Sequence, residues 1–196
     1  MVGTDLVCDA VEGRYLAAPD VLALREAAIR AEGEGAGAVF LSDGPLGDAI
    51  VLAAGLSTVT SRLLLGVPAG FGTGTHRHPS VLARELTTLD LLSGGRAVLC
   101  FSAPFTDEVA EAMTLCRDMW RNGTAFSSGP HYPVPGAVNR PLPASGRSPQ
   151  LALDLTGGAK SESGPEAAGD PGPLHQLADL VLRPTAEPGV CRIERK

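Results

Sequence analysis

The feature that most constrains this chain is a rhythm: short apolar, β-prone runs alternate with helical segments throughout residues 1–121. Leu6–Cys8 is short and β-prone. Pro19–Ala31 follows with helical spacing, and its broad apolar side carries Val21, Leu22, Leu24, Ala28 and Ile29. Glycine-rich Gly33–Gly37 stops that helix, and Ala38–Ser42 reads as a buried strand. Asp48–Val59 predicts a second helix, and Leu63–Val67 is a continuous apolar run of the kind expected where both strand faces are covered. Pro79 suits the first turn of a third helix, whose apolar stripe is Val81, Leu82, Leu86, Leu89 and Leu92. Gly94-Gly95 ends it. Ala97–Phe101 predicts a fourth strand and Thr106–Trp120 a fourth helix, with Val109, Ala112, Met113, Cys116 and Trp120 at helical spacing. Strand–helix units at this pace predict a parallel sheet or barrel.

Beyond residue 121 the rhythm loosens. Residues 122–150 form a Pro/Gly-rich excursion with turn dipeptides at Gly129-Pro130 and Pro135-Gly136. Leu151–Leu155 reads as a fifth strand. Residues 157–173, rich in Gly, Ser, Glu, Ala and Pro, predict a flexible loop. Leu174–Ala178 predicts a helical turn, Leu180–Arg183 a sixth strand, and Val190–Ile193 one more. A complete (βα)8 barrel takes roughly 250 residues and ~200 at the least, against 196 here. The expectation is therefore an α/β fold, an incomplete (βα)8 TIM-type barrel of about six or seven strands, as one domain over residues 1–196. Too few units to close neatly would leave an apolar strand edge, which invites pairing. Self-association as a homodimer is expected on that ground.

Composition narrows the function classes. Hydrophobic residues make up 44% and charged residues 19%, enough to bury a core, but aromatics are only 4%, so the core must be mostly Leu, Val and Ala. A net charge of −6 argues against a nucleic-acid binder, which usually carries a basic face. No run approaches the ~18 apolar residues of a membrane span. The start, Met-Val-Gly-Thr-Asp, lacks a basic segment followed by an apolar one, so no secretory signal is read there. Four scattered cysteines without C-x-x-C spacing suit a reduced, cytoplasmic protein.

Three blocks carry a family resemblance. Ala31-Glu32 with Gly37-Ala38-Val39-Phe40-Leu41-Ser42-Asp43 is one, and Ala53-Ala54 with Ser57-Thr58-Val59-Thr60-Ser61-Arg62-Leu63-Leu64-Leu65-Gly66 is another. The most specific is Arg77-His78-Pro79-Ser80-Val81-Leu82-Ala83-Arg84-Glu85, continuing through Leu89-Asp90-Leu91-Leu92-Ser93-Gly94-Gly95-Arg96. With these the chain resembles the bacterial-luciferase-like family of flavin- and deazaflavin-dependent oxidoreductases, as a shortened and divergent member, over residues up to about Gly158. The resemblance implies a barrel with FMN or the deazaflavin coenzyme F420 at the C-terminal ends of its strands. It also implies dimerisation through the early helices and a small organic substrate. The family's phosphate-binding segment, from the seventh and eighth units, has no counterpart in the sequence.

Candidate site residues follow strand by strand. Asp43 and Gly44 end the second strand, on the edge where a barrel collects ligands, and are candidate cofactor contacts. The alternative for Asp43 is a cap on the turn before Asp48. Pro68 and Ala69 follow the third strand, where the resemblance implies a strained bulge or cis bond bracing the flavin. Proline would make a cis Val67-Pro68 bond cheap. Ser102 ends the fourth strand in place of the family's glycines, and bulk at Phe105 with the missing N–H of Pro104 predicts a hindered cofactor pose. Thr156, Gly157 and Gly158, after the fifth strand, let a backbone approach a ring or phosphate. Gly70–Gly74 is a small-residue loop without the Gly-Lys-Ser/Thr of a nucleotide-phosphate loop.

His76 and His78 flank Arg77 before the third helix and are the candidate catalytic residues. A helix N-terminus favours anions and a neutral imidazole, suited to acid–base work or a phosphate contact. The alternative is that His78 caps the helix and Arg77 is solvated. An H-x-H pair can hold a metal, but no carboxylate or cysteine stands close in sequence to complete a site, so no metal is assigned and a metal-dependent hydrolase has little behind it. Cys100 and Cys116 are expected to be small core hydrophobes. Two functions remain open: a flavin- or deazaflavin-dependent oxidoreductase or monooxygenase, or a degenerate, non-catalytic relative. The latter would bind flavin passively or pair with a full-length paralogue.

Overall fold

The computed structural model describes residues 11–70, 77–102, 104–144, 148–156 and 172–195. The strand read at Leu6–Cys8, the candidates His76, Gly157 and Gly158, and most of the loops at Gly70–Gly74 and 157–173 lie outside them. The elements in chain order are β1 (Val11–Tyr15), α1 (Val21–Gly33), β2 (Ala38–Phe40), α2 (Ala49–Ser57), β3 (Leu64–Pro68), α3 (Pro79–Ser93), β4 (Ala97–Ser102) and α4 (Asp107–Asn122). Then come β5 (Thr124–Ser127), β6 (Val134–Val138), β7 (Gln150–Asp154), a 3-10 turn (Gly172–Gln176), β8 (Leu180–Pro184) and β9 (Val190–Arg195). The barrel's first strand is thus Val11–Tyr15. Its alternation of Glu12 and Arg14 with Gly13 and Tyr15 was available in the sequence but is too polar for a strand sought by apolar runs.

Helix boundaries follow their caps. Asp20 accepts from Ala23 N at 2.8 Å and Asp48 from Ile50 N at 2.9 Å and Val51 N at 3.1 Å. Gly94 and Gly123, both at φ +71°, stop α3 and α4 in the left-handed conformation that favours glycine. On α4 all five expected apolar positions are buried. On α1 only Leu24 and Ala28 of the expected side are buried, joined by Ala31, while Val21, Leu22 and Ile29 face outward. On α3, Val81 and Leu92 are likewise exposed. The apolar arc of these helices is wider than the single sheet beneath them can cover.

Seven strands close into a barrel in the order β1-β2-β3-β4-β7-β8-β9. The first six are mutually parallel. β9 runs antiparallel to both β8 and β1, with Leu182↔Ile193 on one side and Gly13↔Cys191 on the other. This corrects the expected open edge: a single antiparallel return strand closes the ring, so every barrel strand has two neighbours. The argument for self-association from an unpaired edge falls with it.

Strand alternation divides the core in two. Val39, Leu65, Val67, Leu99, Phe101, Leu151 and Leu153 face the helices. Ala38, Phe40, Leu64, Val98, Cys100, Ala152, Leu180, Leu182, Cys191 and Ile193 fill the interior. Gly13 and Gly66 are small because Phe40 occupies the space their side chains would take: a Cβ on Gly13 would sit 2.6 Å from Phe40 Cε2. Outward positions on β1, β8 and β9 are charged: Arg14 pairs with Glu12 at 3.0 Å and with Glu34, and Arg183 with Glu194 at 2.9 Å.

The Pro/Gly-rich excursion contains an unforeseen hairpin, β5 antiparallel to β6. Its turn is held at α4: Glu111 accepts from Tyr132 N at 2.8 Å, His131 N at 3.1 Å and Ser127 Oγ at 3.1 Å. Buried Asn139 then donates to Thr87 at 2.9 Å, fastening the return of the chain to α3. Among the described residues, the cis peptide is Arg140-Pro141, and both bonds flanking Pro68 are trans. No described helix is long and apolar enough to cross a membrane.

Candidate functional site

The C-terminal ends of the six parallel strands define one mouth of the barrel, the place where such folds gather chemistry. Ser102 and Asp154 are register partners on neighbouring strands β4 and β7. Their side chains approach to 3.5 Å, at the outer limit of a hydrogen bond. Asp154 is 4% exposed. Its Oδ1 accepts from Thr156 N at 2.8 Å and from Thr156 Oγ1 at 2.5 Å. Thr156 Oγ1 is in turn 2.9 Å from the hydroxyl of Tyr15, which reaches across from β1. Since the threonine proton goes to the carboxylate, the tyrosine hydroxyl donates, giving a chain Tyr15→Thr156→Asp154.

Electrostatics act on Tyr15 and on two thiols of the interior. Burial, and then the negative charge of Asp154, push the Tyr15 phenol far above its ordinary range, so it stays protonated. Two interior thiols feel the same combination. Burial first and Asp154 second raise Cys100, and the same two causes push Cys191 up to about 12. Both thiols are therefore neutral packing groups. Cys116, pushed up to about 12 by burial alone, donates to Pro79 O at 3.4 Å on the helix side.

Of the residues singled out from sequence, Ser102 and Thr156 come together at this cluster. Tyr15 and Asp154 were missed. Asp154 sat inside the strand read at Leu151–Leu155, where an inward carboxylate next to Thr156 was the available signal. Asp43 lies instead at α2, its Oδ1 accepting from Ala49 N at 2.8 Å, beside the cap supplied by Asp48. Asp43 and Gly44 help line a cavity of about 200 Å³ between the loops after β1 and β2, with Leu16, Ala18, Leu41 and Leu46. Pro68 and Ala69 continue β3, with Ala69 N donating to Cys100 O at 2.8 Å.

His78 is exposed and caps α3. Its Nδ1 accepts from Ser80 N at 3.2 Å, and its ring meets Tyr132 edge-on at 5.3 Å. Arg77 is not solvated: it is half-buried between Asp48 and Glu85, the latter at 3.5 Å. Burial raises the Glu85 carboxyl, and Arg77 opposes that rise. Phe105, expected to hinder a cofactor at the end of β4, is partly buried and packs against the helix-side core. Among the described residues no three His, Cys, Asp or Glu side chains converge as metal ligands.

A phosphorylated flavin or deazaflavin requires room for a fused ring system and an anchor for its phosphate. The mouth offers hydroxyl and carboxylate partners suited to a ring's polar edge. The cavity beside it is smaller than the ~300 Å³ at which cofactor-sized pockets begin. Among the described residues the ring closes after six parallel strands with the single antiparallel strand β9, whereas a complete barrel carries two further units that frequently hold phosphate. The described residues therefore do not fit the whole cofactor: they suit the ring's edge and leave the phosphate unanchored.

Comparisons with known proteins agree with this geometry. Residues 6–103, half of the chain, match the family described as luciferase-like monooxygenase. Solved structures with the same fold include the FMN-bound oxygenating constituent of 3,6-diketocamphane monooxygenase from Pseudomonas putida, a type II Baeyer-Villiger monooxygenase. It is 17% identical with a TM-score of 0.53, over 66% of this chain and 44% of that one. Monooxygenase RslO1 from Streptomyces bottropensis is 21% identical with a TM-score of 0.52, over 70% of this chain and 49% of that one. Coenzyme F420 dependent tetrahydromethanopterin reductase from Methanopyrus kandleri is 16% identical with a TM-score of 0.57, over 76% and 51%. At these identities the likeness is one of fold, and the chain spans about half the length of each. No curated protein sequence matches the chain significantly.

Proposed function

The chain belongs to the luciferase-like monooxygenase family, and on that premise we propose that it is a flavin- or deazaflavin-linked oxidoreductase or monooxygenase acting on a small organic molecule. The observation that carries this reading is the Tyr15→Thr156→Asp154 chain at the barrel mouth. Burial, with the charge of Asp154 second, keeps the Tyr15 phenol protonated; its proton goes to Thr156, so towards a ligand in the mouth the phenol oxygen is an acceptor, and Ser102 adds a second hydroxyl. In this reading the redox chemistry belongs to FMN or F420, and the protein supplies orientation and hydrogen bonding. The test is titration of the purified chain with FMN and F420, followed by turnover with the reduced form of whichever binds. Saturable binding of one, lost in Tyr15→Phe or Asp154→Asn variants that remain folded, supports the proposal. Binding of neither removes it.

A second reading is favoured by one specific observation, closure of the ring by a single antiparallel strand, β9, after six parallel ones. In that case the chain is a non-catalytic relative that binds flavin passively or pairs with a full-length paralogue. Saturable binding without turnover, or stable association with such a paralogue, supports it. Under either reading we propose a cytoplasmic homodimer formed through the early helices, where Val21, Leu22 and Val51 are each more than half exposed. A monomer by light scattering at micromolar concentration refutes the dimer.

A further inference from the structure

We infer that the helix layer carries a binding site for a phosphate-type dianion, free or as the phosphoryl group of a small molecule, between Arg84 on α3 and Arg140 on the return from the β5–β6 hairpin. The site lies outside the barrel, beside the C-terminal end of α4, and does not rest on the cofactor reading. Both arginines line one surface cavity of about 270 Å³. That is far more than the ~30 Å³ share of a single water and just below the ~300 Å³ at which pockets for larger ligands begin. The space suits a compact anion, or the anionic head of a ligand whose body stands in solvent. The helix places Ser80, Val81, Thr87 and Thr88 three and four residues from Arg84, where an acid would pair with it, and none of them is acidic. Arg140 follows buried Asn139, and its guanidinium carbon lies 3.9 Å from where Gly123 would carry a Cβ. It therefore sits over the C-terminal end of α4, where the helix dipole favours a cation.

Among the described residues neither guanidinium has a hydrogen bond or an ion pair, whereas Arg14, Arg77, Arg117 and Arg183 pair with carboxylates and Arg96 with carbonyls. The remaining polar groups of the cavity are engaged within the chain. Thr87 Oγ1 donates to Ala83 O at 2.8 Å, Thr88 Oγ1 to Arg84 O at 3.2 Å, and Asn139 Nδ2 to Thr87 Oγ1 at 2.9 Å. They make a fixed floor and leave the two arginines as its donors. Glu85, the carboxylate on this wall, is held by Arg77 at 3.5 Å, and burial opposes its charge. The ligand class follows from the donors. Each guanidinium presents a planar fork matched to two oxygens of an oxyanion. A carboxylate has two oxygens and one charge, enough for one fork. A phosphate or phosphate monoester has oxygens for two forks and up to two charges for two cations.

The experiment titrates the full chain by calorimetry with inorganic phosphate, phenyl phosphate and acetate at low chloride concentration. The expected result is saturable binding of phosphate or phenyl phosphate at millimolar concentration or below, with acetate at least about tenfold weaker. Added salt should weaken it, because both arginines are exposed. Tighter binding of inorganic phosphate identifies the free anion as ligand, and tighter binding of phenyl phosphate a phosphorylated small molecule. Arg84→Gln and Arg140→Gln should each weaken binding about tenfold, while Arg25→Gln, an equal loss of charge on α1, leaves it unchanged. Arg84→Lys keeps the charge but loses the fork and should fall between wild type and Arg84→Gln. Since these side chains are exposed, circular dichroism should show every variant folded. No saturable binding of either phosphate, acetate binding as tightly as phosphate, binding insensitive to both glutamine substitutions at the site, or equal weakening by Arg25→Gln overturns the inference.

Discussion

Replacing Gly66 by alanine should unsettle the floor of the barrel mouth, and its cost can be reasoned from the packing of one ring. Phe40 is 2% exposed and fills the interior between β1 and β3. A Cβ on Gly66 would lie 2.6 Å from Phe40 Cε1 and closer still to Cδ1, where carbon atoms normally rest about 3.5–4.0 Å apart. The ring has little room to yield. Gly13 stands equally close on its far side, and Tyr15 packs above it with ring centroids 5.4 Å apart. Overpacking of this kind costs about 1–3 kcal/mol, and a planar ring hemmed in on both sides points to the upper end. Against this, alanine restricts the unfolded chain and returns about 0.4–1 kcal/mol. The steric cost wins, leaving roughly 2 kcal/mol of net destabilisation, or about 4–8 °C in Tm for a chain of this size. Phe40→Leu alone should cost about 1–2 kcal/mol through lost packing. In the double variant leucine leaves space for the new methyl, so urea unfolding followed by circular dichroism should give a loss smaller than the two single losses combined, by about 1 kcal/mol or more. A neutral Gly66→Ala, or strictly additive losses, refutes the account of the interior.

Three further outcomes are expected. Arg96 donates to Ser93 O at 2.7 Å and at 3.0 Å each to Thr60 Oγ1, Thr60 O, Leu63 O and Ser57 O; Arg96→Lys, which cannot reproduce the fork, should cost about 2–3 kcal/mol in chemical denaturation, and a neutral effect contradicts this role. Burial opposes ionisation of Glu32, but the amides of Arg62, Ser61 and Leu63 outweigh it and hold its carboxyl below the usual 4.5. That stability is present above the unfolded pKa and lost as pH falls through the folded one, so Glu32→Gln should cost about 1 kcal/mol at neutral pH, discounted for solvent exposure, and nothing in acid. In a Tyr132→Phe background, ultraviolet titration should find Tyr15 ionising at lower pH once Asp154→Asn removes the nearby negative charge, though still above an exposed tyrosine because burial remains; an unmoved titration removes Asp154 from the cluster.

Part of the family-bearing sequence blocks lies at the opposite end of the barrel from the candidate site. Glu32 bonds the amides before β3, Arg96 gathers the carbonyls around α2 and the start of β3, and Gly94 at φ +71° with Gly95 at φ +90° makes the turn into β4. These are structural joints on the N-terminal face, where specific residues serve stability. The site at the other end was only half legible. Ser102 and Thr156 follow apolar strands and could be read as mouth residues, but Asp154 hides inside such a strand and Tyr15 belongs to a strand too polar to be sought.

The sequence by itself determined the local elements of residues 19–122, because apolar period, caps and glycine stops are written within a few residues of one another. Asp20, Asp48, Pro79, Gly94 and Thr106 placed the helix ends to within a residue or two. Only the tertiary structure decided how the ring closes, since an antiparallel β9 between β8 and β1 depends on contacts from Val11 to Ile193 that no local pattern encodes. It likewise decided that Tyr15 and Thr156, 141 residues apart, share a hydrogen bond over Asp154. Propensity acts along the chain, whereas closure and the assembly of a mouth are set by which distant strands can pair and which side chains the finished barrel turns inward.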